Sequence, residues 1–266
     1  MKRLLTLLML FPLLSWGDAY ILTAPYVIPD RRDEGDASWF RLRPAEVRGE
    51  PKVALGIIPN WATGLGTASA TWHSWDQGRD SATQSVVASQ PSLIVTNGTY
   101  CILFDGNDFL NTTVPSDSLT DFTLMAWIRP SEIHEDDSGA YRVITRYRGT
   151  SQRGSLAVND SKIMLGLVAA NFSPGHPIAS NTWYHAVGTF NQTTSTYRLI
   201  VDGVQRATGT YDEGDNPADS SNIEIGKAGI GRFFKGCMGD ITIWNRALTT
   251  NDVAEIYEYE RRRYGK

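Results

Sequence analysis

Through most of the second half of the chain, apolar and polar positions alternate with a period of two, the pattern of half-buried strands. Runs rich in Val, Ile, Thr, Tyr, Phe and Trp between turn residues predict strands near 100–105, 121–129, 140–147, 154–158, 162–169, 183–190, 195–202, 204–210, 221–226 and 239–245. Asp202-Gly203 separates two of these runs. That dipeptide tolerates the positive φ of a primed turn, so it predicts a two-residue hairpin. A helical pattern follows the last strand, with Val253, Ile256 and Tyr257 on one side and Thr, Asn and Asp residues ahead of them as caps. Many short strands and one terminal helix give an all-β class: a two-sheet antiparallel sandwich with a short C-terminal helix.

The first residues depart from this pattern. Lys2 and Arg3 precede an apolar run from Leu4 to Leu14, and small residues follow around Gly17 and Ala19. This three-part arrangement predicts a secretory signal over 1–19, because the apolar run is shorter than the roughly 20 residues a membrane span needs. Residues 20–71 are read as an N-terminal extension or linker. Arg31, Arg32, Asp33, Glu34 and Asp36 crowd both charge signs together, and Pro25, Pro29, Pro44, Pro51 and Pro59 punctuate the stretch. Within it, Trp39-Phe40-x-Leu42 and Val53 to Ile58 are apolar enough to be strands that dock on the main domain or pair with a neighbouring subunit.

Charge narrows the partners. The chain carries 25 basic and 29 acidic residues; without residues 1–19 the counts are 23 and 28, a balance of −5. A mildly acidic chain has no electrostatic footprint for nucleic acid. Cys101 and Cys237 are the only cysteines. Two thiols exclude a four-cysteine zinc site, and in an oxidising compartment they predict one Cys101–Cys237 disulfide.

Four segments carry a family resemblance: FDGNDF at 104–109, FTLMAWIRP at 122–130, WYHAVGTF at 183–190 and FFKGCMGDITIWNRALTTNDVAEIY at 233–257. Together they resemble the LamG-like jelly roll of the concanavalin A-like lectin/glucanase fold, which includes laminin G modules and pentraxins. The lead-in from Trp72 to Gly98 is similar to that of bacterial members. The resemblance implies a jelly-roll domain over 72–260, followed by a basic tail at 261–266. It also implies a structural calcium ion at Asp105 and Asp240, with Asp108 able to join them, because calcium takes several oxygen ligands. The same residues without metal are a turn and a strand cap. In jelly rolls of this kind the strands bearing Cys101 and Cys237 are neighbours, which suits the predicted disulfide.

The fold hosts many functions, so function has to come from a site. Glycosidases on this fold carry a strand with Glu-x-Asp-x-x-Glu, and no such strand occurs here. Retaining hydrolysis needs two carboxyls about 5 Å apart. Glu132 and Glu135 fall in a loop-like stretch, and Glu224 is alone on its strand. GKAGIGR at 226–232 follows a strand without opening a helix, which makes it a tight loop rather than a phosphate cradle. His185 is expected to be a packed residue, since no carboxylate or nucleophile accompanies it locally. The acidic run Asp212, Glu213, Asp215 and Asp219 is expected to be a solvated loop.

Trp127, Trp183 and Trp244 are expected to fill the core between the sheets, leaving Trp61, Trp72, Trp75, Tyr141, Tyr147 and Tyr211 as candidates for stacking on sugar rings. Sequons at Asn97, Asn111, Asn159, Asn171 and Asn191 are glycan acceptors in a eukaryotic secretory route and ordinary β-surface in a bacterial one.

These readings converge on a secreted or cell-surface, non-catalytic recognition or adhesion module whose ligand class is carbohydrate. The alternative is a structural or assembly protein that decorates a cell surface or virion and oligomerises through residues 20–71. Neither reading assigns catalytic residues, nucleic-acid contacts or a membrane span in the processed chain. N-terminal sequencing of exported protein should begin at Tyr20, or at Asp18 if cleavage follows Gly17; an intact Met1 would make the segment an anchor.

Overall fold

The computed structural model describes residues 38–42, 71–73, 81–96, 98–116, 119–133, 141–148, 151–168, 171–211, 221–227 and 232–266. All of them fall in the compact unit Asp36–Lys266. In chain order the strands are β1 (Ser38–Leu42), β2 (Thr71–His73), β3 (Ser81–Thr83), β4 (Ser92–Thr96), β5 (Thr99–Asp105), β6 (Leu110–Pro115), β7 (Phe122–Pro130), β8 (Tyr141–Arg148) and β9 (Ser151–Asn159). They continue as β10 (Lys162–Val168), β11 (Asn171–Phe172), β12 (His176–Pro177), β13 (Tyr184–Asn191), β14 (Thr196–Val201), β15 (Val204–Thr210), β16 (Asn222–Ile225) and β17 (Lys235–Trp244). Helix α1 (Thr250–Glu260) and a 3₁₀ turn at Arg261–Tyr264 complete the chain.

Two antiparallel sheets result. The first has the order β15-β14-β13-β7-β17-β5-β4, and the second β11-β10-β9-β8-β16-β6-β3-β2. Every strand expected from the sequence is present. The alternation did not mark β4 or β6 as strands, nor the short β2, β3, β11 and β12. Among the apolar patches of the extension, β1 pairs with β17 of the same chain, opposite Ile241 to Trp244, beyond the point where β5 stops pairing. Val53 to Ile58 lies outside the described residues.

Facing side chains of the two sheets form one continuous core, including Phe104, Phe122, Leu124, Ile128, Leu156, Phe190, Leu199, Ile225 and Phe234. Strand β6 shows what half-burial looks like: Leu110, Thr112 and Val114 point inward while Asn111 and Thr113 face water. Strands β7 and β17 differ, being buried on nearly every residue. Their second face is covered by the C-terminal elements.

Two separate clusters make that third layer. Met125, Val187, Ile200 and Trp244 meet Leu248 and Val253 of the helix entry, and Trp127, Trp183, Cys101 and Cys237 meet Tyr264. The three tryptophans expected between the sheets are therefore buried on the opposite face, beneath the helix and tail. Strand alternation explains the correction: Leu124, Ala126 and Ile128 take the inward positions of β7, so Trp127 must point outward.

The helix begins where the sequence expected. Thr249 accepts the Asp252 N–H at 3.2 Å, and Asp252 accepts the Thr249 N–H at 2.9 Å, a reciprocal capping box. Beyond the helix, Tyr264 stacks on Trp127 with ring centroids 4.1 Å apart, and its hydroxyl accepts the Asp240 N–H at 2.8 Å. A Cβ at Gly239 would overlap the Tyr264 ring, so the tail sits this close only because that position has no side chain. The predicted hairpin joins β14 to β15 with φ of 52° at Asp202 and 72° at Gly203. Among the described residues, no helix is long and apolar enough to cross a membrane.

His185 lies in this outer layer as the packed residue expected. It is fully buried between Trp127 and Tyr257, at 5.0 and 5.8 Å between centroids, and neither ring nitrogen has a hydrogen-bond partner. Burial lowers its pKa to about 4, against the smaller opposing pull of Asp202 and Asp240. A folded pKa below the unfolded value means that the stabilising contribution is complete above about pH 6.5 and fades as pH falls toward 4. The difference in unfolding free energy between the wild type and His185→Phe should therefore shrink by something on the order of 3 kcal/mol between pH 7 and 4. Chemical denaturation at a series of pH values measures it; a pH-independent difference would show that His185 does not titrate in this range.

Candidate functional site

The second sheet has an outer face that the C-terminal layer does not reach. Cross-strand pairing lines up Thr83, Asn111, Glu224, Thr145, Ser155 and Gly166, one from each of β3, β6, β16, β8, β9 and β10. The neighbours Leu110, Ile225, Leu156 and Leu165 belong to the core, so Asn111, Glu224, Ser155 and Gly166 take the outward positions of their strands; for Thr145 only the strand position is described. At ordinary strand spacing the row is roughly 24 Å long.

Its chemistry is that of a polar floor. Thr83 and Asn111 are exposed, Glu224 is half-buried, and Ser155 is 2% exposed with no hydrogen-bond partner for its hydroxyl. A buried hydroxyl without a partner is uncommon, and it leaves a donor and an acceptor unused beneath this face. Glu224 is the only carboxylate among the strands of this sheet.

An aromatic rim adjoins the row. Glu224 pairs with Lys227 at 3.6 Å, and the Lys227 ammonium lies 4.0 Å from the centre of the Phe109 ring. Phe109 and Phe233 lie 6.1 Å apart, centroid to centroid. The loop that carries Phe109 is fixed by its backbone: its N–H donates to Ser89 O at 3.2 Å, and its carbonyl accepts Gln84 Nε2 at 3.4 Å. Of the Gly226–Arg232 stretch, residues 228–231 lie outside the described residues; on either side of them Lys227 forms a β-bridge with Phe233, and the Phe234 N–H donates to Gly226 O at 2.8 Å.

The residues predicted to hold calcium are only partly brought together. Asp108 is buried and accepts the Asp105 N–H at 2.9 Å, while Asp105 accepts the Asn107 N–H at 3.0 Å. Burial pushes the Asp108 carboxyl up to about 6. Asp240 is elsewhere. Asp105 pairs with Lys235, and Asp240 follows five residues further along β17, roughly 15 Å at the rise of an extended strand. Its carboxylate is 2.5 Å from Arg263 Nη1. A calcium ion shared by Asp105, Asp108 and Asp240 does not fit this geometry, and no group of three or more His, Cys, Asp or Glu among the described residues is arranged to hold a metal. The family resemblance placed Asp105 and Asp240 on neighbouring strands, as they are, but could not give their positions along those strands; Asp108 lies in the turn after β5.

Cys101 and Cys237 do come together. Cys237 pairs with Leu103, which sets Cys101 diagonally across from it on the same face of the sheet, and both are buried free thiols. Of the aromatics proposed for stacking, Tyr211 packs against Phe190 at the core. Trp61 and Trp75 lie outside the described residues, as do Glu135 and the acidic run 212–219; for Trp72, Tyr141 and Tyr147 only the strand positions are described. Sequence reasoning missed Asn111, Ser155, Phe109, Lys227 and Phe233 as a group. Asn111 was noted only as a sequon and Phe109 only as part of a fold motif, and nothing local distinguishes Ser155.

A family model described as the concanavalin A-like lectin/glucanases superfamily matches residues 104–254. No curated protein sequence matches the chain. Among solved structures, domain 4 of AbnA, a GH43 extracellular arabinanase from Geobacillus stearothermophilus in complex with arabinotriose, is 12% identical with a TM-score of 0.51, over 63% of this chain and 81% of that one. The binding domain of Paraclostridial Mosquitocidal Protein 1 is 15% identical with a TM-score of 0.52, over 64% of this chain and 45% of that one. Trypanosoma rangeli sialidase in complex with sialic acid is 17% identical with a TM-score of 0.56, over 75% of this chain and 32% of that one. The chain thus spans under half the length of the last two. At these identities the likeness is one of fold.

The assignment of Asp240 to Arg263 has a measurable consequence. Asp240→Asn would remove a carboxylate from the partly buried Arg263 guanidinium and should destabilise by about 2–3 kcal/mol. Thermal unfolding with calcium and with chelator should show the same loss in both. A loss that appears only with calcium would return Asp240 to metal binding.

Proposed function

Because the chain belongs to the concanavalin A-like lectin/glucanases superfamily, we propose that it is a secreted, non-catalytic carbohydrate-recognition module that binds on the outer face of its second sheet. The observation that carries this reading is the polar row from Thr83 to Gly166, with the unpartnered Ser155 hydroxyl at its floor and the Phe109–Lys227–Phe233 rim beside it. Sugars present hydroxyls that both donate and accept, together with apolar ring faces. Amide, carboxylate and hydroxyl side chains on the strand surface meet the first, and the half-buried Phe109 and Phe233 rings at its rim meet the second. Domain 4 of the arabinanase, in complex with arabinotriose, is a solved example of a ligand of this class on a domain of similar fold.

The non-catalytic part rests on Glu224 being the one carboxylate in the row among the described residues. Glycoside hydrolysis divides its work between two carboxyl groups on either side of the scissile bond. The row offers one, and it is paired with Lys227. One carboxylate can accept hydrogen bonds from a sugar, but it cannot also protonate a leaving group.

Glycan-array screening followed by titration of the best ligand tests the proposal. Asn111→Ala and Glu224→Gln should each weaken binding by about tenfold or more, the loss expected for one ligand hydrogen bond, two if the lost contact was charged. Val204→Thr, on the edge strand of the other sheet, should bind as the wild type does. Unchanged affinity in both row variants would move the site off this face, and release of reducing sugar from the bound glycan would overturn the non-catalytic reading.

A further inference from the structure

Behind the first sheet, three neighbouring strands bring together chemistry that the carbohydrate reading does not use. On β17, Cys237 pairs across one edge with Leu103 of β5 and across the other with Arg129 of β7. Cys101 is two residues before Leu103 and so shares its face. Both thiols are buried, at 0% and 4% exposure, against Trp127, Trp183 and Tyr264. The Arg129 guanidinium is held in place by Asn181 O, 3.0 Å from Nε, and by Thr96 Oγ1, 3.4 Å from Nη1, and Arg129 sits directly across from Cys237 in the strand pairing. The two cysteines are therefore unequal. The cation lies one strand away from Cys237 and two strands away from Cys101.

We propose that Cys237 and Cys101 form a thiol–disulfide exchange site in which Cys237 is the attacking thiolate, Cys101 the resolving thiol and Arg129 the positioning residue. The electrostatics run the same way. The hydrogen bond from Cys101 and, after it, the Arg129 charge pull the Cys237 thiol below its ordinary range against the opposing effect of burial, while acting as donor to Cys237 pushes Cys101 up. In exchange, the Cys237 thiolate attacks one sulfur of a small-molecule disulfide, forming a mixed disulfide and expelling one thiolate. Cys101 gives its proton to that thiolate and attacks Cys237 Sγ, forming the protein disulfide and expelling the second. Two protein thiols are oxidised and one external disulfide is reduced to two thiols.

Tyr264, in the 3₁₀ turn after the helix, packs over the pair, so a reagent reaches the thiols when this turn opens locally. The product would tie β5 to β17 covalently across the sheet, as expected from the sequence; what the structure adds is an order of attack and a cation that sets it.

The experiment uses the full chain, reduced and folded, with oxidised glutathione as the probe. Intact-mass and peptide-mapping spectrometry should find an internal disulfide with both glutathione halves released. In the wild type, brief labelling with iodoacetamide before oxidation should modify Cys237 first. Cys101→Ser should stop at a glutathione adduct on Cys237, whereas Cys237→Ser should react about tenfold more slowly or less, as expected when the activated thiol is removed. Arg129→Gln should slow the wild-type reaction, and Arg129→Lys should restore part of it. Preferential labelling of Cys101 would overturn the assignment, and so would equal labelling of the two. No disulfide in the folded wild type, with both thiols reactive in denaturant, would overturn the site itself. Wild-type labelling needs no variant to fold.

Discussion

The structure depends on covering the outer face of the first sheet. Strands β7 and β17 lie at its centre and carry large apolar side chains on both faces, so a two-layer sandwich would leave Met125, Trp127 and Trp244 in water. Each of these side chains contributes about 1.5–3 kcal/mol when buried. The C-terminal helix and tail provide the missing layer, through Leu248 and Val253 at one end and Tyr264 at the other. Polar contacts fix where that layer sits: Trp127 Nε1 donates to the buried Glu260 at 2.8 Å, Arg263 pairs with Asp240, and Thr99 Oγ1 donates to Arg263 O at 2.7 Å.

That requirement divides the molecule into two surfaces with different chemistry. The first sheet is closed by its own chain, and its outer face is a packed interior with a neutral histidine and two thiols. The outer face of the second sheet has no such layer from the C-terminal elements, and its β6 and β16 follow the alternation of strands with one wet face. A ligand that needs an extended polar platform therefore has one sheet to use. The proposed exchange chemistry at the thiols, by contrast, depends on the cover that Tyr264 provides.

Conserving volume on the closed side also explains why small residues recur there. Gly239 makes room for the Tyr264 ring, and Gly203 makes room for Tyr257 while completing the β14–β15 turn. The same turn supplies Asp202, whose two carboxylate oxygens accept the His185 N–H at 2.9 Å and the Lys266 ammonium at 2.9 Å. One hairpin thus helps to hold both a buried strand and the chain terminus.

Local pattern in the sequence determined the fold class, the ten main strands, the Asp202-Gly203 hairpin and the capped helix, because each is set by periodicity or by backbone preference within a few residues. The family resemblance, rather than local pattern, implied that Cys101 and Cys237 lie on neighbouring strands. Tertiary structure alone decided which face each strand turned inward, and so sent Trp127, Trp183 and Trp244 to the helix side rather than between the sheets. Register alone decided that Asp240 meets Arg263 instead of Asp105, since a neighbouring strand leaves the position along it open. The row from Thr83 through Asn111, Glu224 and Ser155 could not be read from the chain for the same reason: its members lie as much as 140 residues apart, and only pairing across strands makes them one surface.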